Sequence, residues 1–247
     1  MLLDGKNAIV YGGAGAIGGA AARAFAREGA RVFLTGSRAE ALEPVAEEIR
    51  SAGGIAETAE VDAMDQAAVY AHAEGVAAAG GIDISFNAIS YPVYQNRPLV
   101  ELTLDQFMAP IVGASRTHFI TMTAAARHMT RQGSGVIVTL SATASLEWRH
   151  QMGGFNVACA GIEALTRSLA GELGRYGVRV VGLRANFTPE TSPTVTAVDY
   201  QQLVDDALLG RLPRLHEVAD TAAWVASPAA GAITGAIVNL SCGAVFG

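Results

Sequence analysis

The alternation of two sequence periods along the chain limits its possible folds most strongly. Short continuous apolar runs, such as NAIVYG at 7–12 and GVIVTLSA at 135–142, alternate with Ala-rich segments whose apolar residues recur at helical spacing. A continuous apolar run bounded by turn residues is typical of a strand that is buried on both faces. We therefore predict an α/β fold, a doubly wound parallel β-sheet with helices on both faces.

The same alternation predicts the positions of the elements. Strands are expected at 7–12, 31–36, 55–62, 82–88, 135–142, 177–184 and 236–240, and helices at 18–28, 38–51, 65–79, 104–131 and 152–176. No linker or repeat divides the chain, so 1–247 is predicted to be one domain. The segment around 185–212 begins with a Thr- and Pro-rich stretch and continues in a helix-like pattern. It is predicted to be a substrate lid, with an ordinary surface loop as the alternative.

A glycine-rich turn follows the first predicted strand, in IVYGGAGAIGGAAARAF at 9–25. Gly12 allows a tight turn, Gly15 or Ala16 lets the backbone approach a pyrophosphate, and Gly18 lets helix and strand pack closely. Ile17 lies just before the predicted helix, whose N-terminal N–H groups favour an anion. Because the motif lies between a strand and a helix, it predicts a Rossmann-type single domain that binds a dinucleotide.

The end of the second strand indicates which nicotinamide cofactor is preferred. The sequence LTGSRAE at 34–40 has no carboxylate there to bind the ribose 2′-hydroxyl of NAD. Ser37 and Arg38 instead offer a hydroxyl and a guanidinium, which suit a 2′-phosphate. The sequence thus favours NADP (NADPH) over NAD. The alternative is that Ser37 caps the next helix and that Arg38 is only solvated.

Composition narrows the class of partner. Hydrophobic residues make up 51% of the chain, and the net charge of −6 is spread without acidic or basic blocks. This pattern favours a small-molecule substrate and argues against nucleic acid or a membrane as partner. Two cysteines form no disulfide framework and no metal signature, and the first residues, MLLDGKNAIV, contain no secretory apolar region. We expect a cytoplasmic protein without a metal site.

Several motifs, in order along essentially the whole chain, resemble the short-chain dehydrogenase/reductase family. They are YGGAGAIG at 11–18, VDAMD at 61–65, FNAIS at 86–90, GIEALTRSLAGELGRYGVRVVGLR at 161–184 and the segment from Leu208 to Gly243. The resemblance implies that the cofactor is also contacted by Asp62, Ala63, Asn87, Ala88 and Thr188. It further implies a homo-oligomer, either a dimer or a homotetramer.

The same resemblance implies a catalytic Ser, Tyr and Lys that this chain lacks. Alignment on AGIEALTRSLA at 160–170 puts Phe155 at the tyrosine position, Cys159 at the lysine position and Ala142 at the serine position. The family's asparagine aligns near Ala114. No shift of register restores the pair, because Lys6 is the only lysine in the chain. We therefore expect a divergent member with an atypical active site.

Other polar residues are candidates for the missing proton transfer. His150, five residues before Phe155, can exchange a proton near neutral pH, and Ser141 can hydrogen-bond a carbonyl group. For both, the alternative is an ordinary structural hydrogen bond. Cys159 is either a nucleophile or a small buried apolar residue. His118 could also point into the site, or lie on the helix surface.

The sequence accordingly favours an NADP-dependent oxidoreductase that moves its proton without tyrosine and lysine. Two alternatives stay open, because a fold does not fix a function. One is a non-redox enzyme on the same fold, a lyase, isomerase or cyclase. The other is a catalytically inactive NADP-binding subunit or sensor.

Overall fold

The centre of the molecule is one sheet of seven parallel strands, in a computed structural model that describes residues 1–191 and 197–247. The strands lie in the order β3-β2-β1-β4-β5-β6-β7. Their bounds are Asn7–Tyr11 (β1), Arg31–Gly36 (β2), Ile55–Glu60 (β3), Ile84–Asn87 (β4), Gly135–Ala142 (β5), Val178–Ala185 (β6) and Ile237–Leu240 (β7). The predicted fold class is confirmed.

Helices cover both faces of this sheet. Their bounds are Ala16–Arg27 (α1), Ala39–Ser51 (α2), Gln66–Ala78 (α3), Leu104–Gln132 (α4), Gly154–Leu173 (α5), Ala197–Asp205 (α6) and Leu215–Ala226 (α7). One apolar cluster joins the sheet to α1, α2 and α7 through residues such as Phe25 and Leu42. The other joins the opposite face to α3, α4 and α5 through residues such as Val69 and Met122. Burial on both faces explains why the strands read as continuous apolar runs.

The observed elements lie where they were predicted, and most of their ends differ from the predicted bounds by one or two residues. The predicted bounds of β2 and β5 are reproduced, and α5 is shorter than predicted because its last turn tightens into a 3-10 turn at Gly174–Tyr176. Helix α7 was not predicted. Helix α3 begins where expected because Asp65 accepts hydrogen bonds from the N–H groups of Ala67 and Ala68, at 2.9 and 3.2 Å.

The strand order reverses between β1 and β4, and this reversal positions the site. Strands β2 and β3 extend the sheet on one side of β1, whereas β4 to β7 extend it on the other. The loops that leave the carboxyl ends of β1 and β4 therefore run in opposite directions and leave a crevice between them. In open α/β sheets, ligands bind at such a point.

The segment predicted as a lid begins at the end of β6. It contains a 3-10 turn at Pro189–Thr191 and then α6, while residues 192–196 of the predicted lid lie outside the described residues. Within 1–191 and 197–247, no helix has both the length and the apolar character needed to cross a membrane.

Candidate active site

The glycine-rich turn between β1 and α1 is held close to the neighbouring strands. Gly12 has φ +78°, and a Cβ there would lie 2.5 Å from the carbonyl oxygen of Ala88. A Cβ on Gly18 would lie 2.2 Å from the carbonyl oxygen of Gly12. Only glycine fits either position. The N–H groups of Gly12 and Gly13 both donate to the carbonyl of Thr35 at 3.0 Å, which fastens the turn to β2. The turn thus leaves a backbone cradle at the N-terminus of α1, of the kind that accepts a phosphate.

A first cavity of about 450 Å³ extends from this turn along the end of β2. Seven of its lining residues were predicted as cofactor contacts, namely Gly12, Gly15, Ser37, Arg38, Asp62, Ala63 and Ala88. Asp62 accepts a hydrogen bond from the N–H of Met64 at 2.9 Å, which shapes the far wall. The exposed Arg38 forms no ion pair with any residue in the described ranges, so its guanidinium is available to a ligand.

A carboxylate that was not considered from the sequence lies near this end of the first cavity. The N–H of Ala39, at the start of α2, donates to Glu60 Oε2 at 3.4 Å. Because Arg38 immediately precedes this N–H group, Glu60 partly offsets the positive field that Arg38 and the helix N-terminus produce there.

A second cavity of about 810 Å³ adjoins the first, and the two share Gly15 and the stretch 88–91 as walls. It lies at the ends of β4, β5 and β6, below the first turns of α5. Of the predicted site residues it is lined by Gly15, Ala16, Ile17, Asn87, Ala88, Ser141, His150 and Thr188. Gly18 lines neither cavity and acts through its packing against Gly12.

Asn87, the last residue of β4, and Thr188, after β6, are both held by hydrogen bonds. Asn87 Nδ2 donates to Thr121 Oγ1 at 2.9 Å, and Asn87 Oδ1 accepts from the N–H of Ile89 at 3.1 Å. On the other side of the second cavity, Thr188 is 2% exposed and donates its hydroxyl to the carbonyl of Asn186 at 3.2 Å. Both side chains therefore shape the backbone that lines the cavity.

The first turns of α5 present Phe155 and Cys159 to the second cavity. The Phe155 ring lies against the ring of Tyr91, with centroids 6.3 Å apart. Cys159 is 1% exposed, and burial raises the pKa of its thiol to about 12. A thiol that stays protonated near neutral pH is a poor nucleophile, so the structure favours the reading of Cys159 as a small packing residue. Burial likewise raises the pKa of the Tyr91 phenol.

The hydroxyl of Ser141 is hydrogen-bonded to a buried carboxylate beneath the second cavity. Its Oγ donates to Glu163 Oε1 at 2.9 Å, and Ser145 Oγ donates to the same oxygen at 2.6 Å. Glu163 also pairs with Arg184, whose Nε and Nη2 lie 2.8 and 2.7 Å from its two oxygens. While this network holds, Ser141 offers only oxygen lone pairs to the cavity, since its proton is already donated.

Burial and charge act in opposite directions on Glu163. Its side chain is 5% exposed and that of Arg184 is 4% exposed. Burial by itself raises the pKa of Glu163, but the hydrogen bonds from Arg184, Ser145 and Ser141 outweigh it and hold the pKa below its usual value. The carboxylate is therefore charged, paired and structural.

A second charged cluster closes the opposite wall, where the loop after β5 meets the segment after α6. Asp206 accepts from Arg149 Nη1 at 2.9 Å and lies 3.1 Å from His150 Nε2. Arg149 also binds both oxygens of Glu147, at 3.0 Å each. All four residues line the second cavity. This cluster places His150 against the cavity, with a carboxylate that fixes one of its ring nitrogens.

His118 and Arg116, the two polar residues one turn beyond the family's asparagine position, have different surroundings. Arg116 is exposed, and its Nε donates to the carbonyl of Met64 at 3.0 Å. His118 is 1% exposed and lines the second cavity. The first is thus a surface residue, and the second belongs to the site.

Sequence reasoning missed Glu163, Arg184, Asp206 and Tyr91. In the sequence, Glu163 and Arg184 look like ordinary polar residues of a helix and a strand. They form an ion pair only because β6 lies beside α5. Asp206 lies 56 residues from its partner His150, so no local pattern joins them. Tyr91 directly follows the motif FNAIS, and this position is the one feature of the sequence that could have indicated its place in the site.

Comparison with known proteins gives consistent matches over nearly the whole chain. A family model described as Enoyl-(Acyl carrier protein) reductase matches residues 12–244. D-threitol dehydrogenase of Mycolicibacterium smegmatis is 32% identical over 245 residues, covering 95% of this chain and 90% of the relative. Cis-4-hydroxycyclohexanecarboxylate dehydrogenase of Sinomonas cyclohexanicum is 33% identical over 244 residues, covering 96% of each.

Solved structures agree with this result. A short-chain type dehydrogenase/reductase from Mycobacterium marinum superposes with a TM-score of 0.87 at 27% identity, over 99% of this chain and 97% of the other. A dehydrogenase/reductase from Sinorhizobium meliloti superposes with a TM-score of 0.88 at 29% identity, over 99% and 96%.

Proposed function

The chain belongs to the short-chain dehydrogenase/reductase family, and from this membership we propose that it is an NADP-dependent oxidoreductase acting on a small organic substrate. The observation that carries the proposal is the continuous cleft formed by the two cavities, with the glycine cradle beside their common wall. A dinucleotide spans such a cleft with its pyrophosphate at the cradle. When bound, its nicotinamide supplies or accepts the hydride. The dehydrogenase names of the relatives support a redox reaction here.

The preference for NADP rests on the end of β2. Ser37 and Arg38 line the first cavity, and the guanidinium of Arg38 is free to bind a 2′-phosphate. An arginine binds a phosphate with two parallel hydrogen bonds, whereas the 2′-hydroxyl of NAD gains little from it. Glu60 lies near enough to reduce this preference, and we therefore expect NADPH to be favoured moderately rather than absolutely.

The atypical active site is part of the proposal. Phe155, Cys159 and Ala142 stand at the positions where the family resemblance implies Tyr, Lys and Ser. Phe155 cannot carry a proton, and the raised pKa of Cys159 keeps its thiol neutral. The first turns of α5 therefore shape the cavity and orient the bound ring, while the proton is moved elsewhere.

We assign the proton transfer to His150. Its Nε2 lies 3.1 Å from Asp206 Oδ2, which orients the ring and leaves Nδ1 as the nitrogen that exchanges a proton. His150 also lines the second cavity and is 26% exposed, so a proton can pass between the cavity and solvent. Ser141 assists by accepting a hydrogen bond from a substrate hydroxyl.

The charged cluster around Asp206 also bears on the predicted lid. Asp206 follows α6 directly, and its contacts with Arg149 and His150 hold this part of the chain against the second cavity. These contacts support the proposal that the segment around 185–212 is a substrate lid.

Exposed apolar residues on the outer faces of α4 and α5, including Phe119 at 53% and Val157 at 48%, favour burial against a second copy of the chain. We propose a homo-oligomer, and its mass in solution tests this.

Titration with NADPH and NADH tests the cofactor assignment. The variant Arg38→Ala should lose about 1.5–3 kcal/mol of NADPH affinity, about 10- to 100-fold, and little NADH affinity. Arg175→Ala, in the exposed 3-10 turn Gly174–Tyr176, is the matched control and should bind both as the wild type does. Glu60→Gln should strengthen NADPH binding. Equal losses for both cofactors in Arg38→Ala would contradict the assignment.

A second function, that of a non-catalytic NADP-binding subunit or sensor, is favoured by one observation. Phe155 and the neutral Cys159 leave the first turns of α5 without a proton carrier. This reading predicts tight NADPH binding and no oxidation of NADPH by any carbonyl compound, in the wild type and in His150→Phe alike.

A further inference from the structure

Two imidazoles line the second cavity, and only one of them is held by a carboxylate. His150 is fixed by Asp206, whereas His118 lies on α4, is 1% exposed and faces no acidic partner among the hydrogen bonds and ion pairs of the described residues. The proposed function makes no use of His118. Its surroundings nevertheless define what it can bind.

One ring nitrogen of His118 is committed to its own helix. Nδ1 lies 3.0 Å from the carbonyl oxygen of Ala114. A carbonyl oxygen only accepts, so Nδ1 carries the hydrogen and donates it. Nε2 is then left with a lone pair, and it is a buried atom without a hydrogen-bond partner in the described part of the chain.

The neighbouring hydroxyls do not supply a donor to this lone pair. Thr117 Oγ1 donates to the carbonyl of Gly113 at 2.8 Å, and Thr121 Oγ1 donates to the carbonyl of Thr117 at 2.8 Å. Asn87 Nδ2 donates one of its two hydrogens to Thr121, and no hydrogen bond joins it to His118 in the described residues. Both threonine hydroxyls use their hydrogen within the helix, while His118 borders the cavity.

The ring also stays neutral. Burial lowers the pKa of His118 to about 4, although the bond to Ala114 acts in the opposite direction. Near neutral pH the side chain is therefore a fixed acceptor, not a cation and not a proton carrier. A buried acceptor without a partner is unfavourable, and a ligand that brings a hydrogen to it gains affinity.

We propose that His118 Nε2 binds a hydroxyl group of the ligand held in the second cavity. The inference rests on the proposed function only in that a dinucleotide or its substrate enters this cavity. It also selects the ligand chemistry: a hydroxyl presents a hydrogen to the lone pair, whereas a carbonyl oxygen at the same place would repel it. The hydroxyl comes either from the ribose of the cofactor or from a hydroxylated substrate.

Nitrogen NMR of protein with isotope-labelled histidines tests the proposal, with the His118 signal assigned from His118→Phe. NADPH alone is the first probe, and NADP⁺ with D-threitol or with cis-4-hydroxycyclohexanecarboxylate is the second. A hydrogen bond to Nε2 shifts its resonance from the position of a free acceptor nitrogen. A shift with NADPH alone identifies the ribose as donor, and a shift only after an alcohol is added identifies the substrate.

Affinities measured on variants provide the second readout. His118→Phe should weaken the ligand that causes the shift by about 3- to 10-fold, whereas His118→Gln, which keeps an acceptor, should retain part of it. His128→Phe is the matched control, since His128 lies on the same helix beside Glu74 and away from the cavity. A His118 signal that is unmoved by every probe, or an unchanged affinity in His118→Phe, overturns the proposal. The amide signals of Gly12 and Gly15 report separately on NADPH binding, and their failure to move counts against the proposed function itself.

Discussion

Replacing Arg184 by methionine should destabilise the protein more than any surface substitution. The change removes the guanidinium that pairs with Glu163. The carboxylate of Glu163 stays buried beneath the second cavity, where its side chain is only 5% exposed. Among the described residues, the hydroxyls of Ser141 and Ser145 alone remain to donate to it, at 2.9 and 2.6 Å. An uncompensated charge in such a place costs about 3–5 kcal/mol.

A double-mutant cycle separates the pair from its surroundings. Glu163→Met alone leaves the guanidinium buried and should cost a similar amount. The double variant Glu163→Met/Arg184→Met carries no buried charge and should cost less than either single change, since apolar replacements of similar volume are often close to neutral. The two seryl donors that lose their acceptor reduce this gain by about 1 kcal/mol each.

Urea unfolding near neutral pH measures these differences, and its pH dependence checks their cause. The folded pKa of Glu163 is lowered by its hydrogen bonds, so its contribution is present above the unfolded value and is lost as the pH falls through the folded pKa. In Arg184→Met burial raises that pKa instead, and the deficit relative to the wild type should shrink in acid.

Arg179→Met is the matched control for this cycle. Arg179 donates to the backbone carbonyls of Val225, Ser227 and Ile233 rather than to a carboxylate, so Glu163→Met should not rescue its loss. A loss below about 1 kcal/mol in Arg184→Met, or strict additivity of the two single changes, would refute the reasoning.

Three further predictions concern the cavity walls. His150→Phe should lower turnover by about 100-fold or more with NADPH affinity unchanged, and equal turnover would remove His150 as proton carrier. Burial lowers the pKa of His118 to about 4, so below about pH 6.5 the unfolded chain binds a proton more readily than the folded protein does. The free energy of unfolding of the wild type should therefore fall by up to about 3 kcal/mol between about pH 6.5 and 4. His118→Phe should lack this loss, and parallel stability curves would contradict it. The triple variant Phe155→Tyr/Cys159→Lys/Ala142→Ser should fold when NADPH is present and gain weak carbonyl reductase activity, whereas loss of all cofactor binding would show that the alignment is wrong or that the pocket has closed.

The sequence was sufficient for the sheet because its strands are buried on both faces. A run such as GVIVTLSA contains no charged residue, and its bounds coincide with those of β5. The glycine turn was equally readable, since Gly12 and Gly18 fill places where a Cβ would collide with backbone. In both cases the structural requirement is local in sequence.

The charged parts of the site could not be predicted in the same way. Glu163 and Arg184 are 21 residues apart on different elements, and their pairing depends on how α5 packs against β6. The sequence could not show whether His118 points into the protein or towards solvent, because α4 is 29 residues long and carries polar groups around its circumference. Only packing against the sheet decides which of them is buried.

A crystal structure of the NADPH complex distinguishes an oxidoreductase from a protein that only binds the nucleotide. We expect the 2′-phosphate at Arg38, the pyrophosphate at the Gly12–Gly15 turn and the nicotinamide in the second cavity, with its reactive face open towards His150. A complex in which Phe155 and Tyr91 exclude the nicotinamide from that cavity, or in which His150 faces away from it, would contradict an oxidoreductase and leave a protein that only binds the nucleotide.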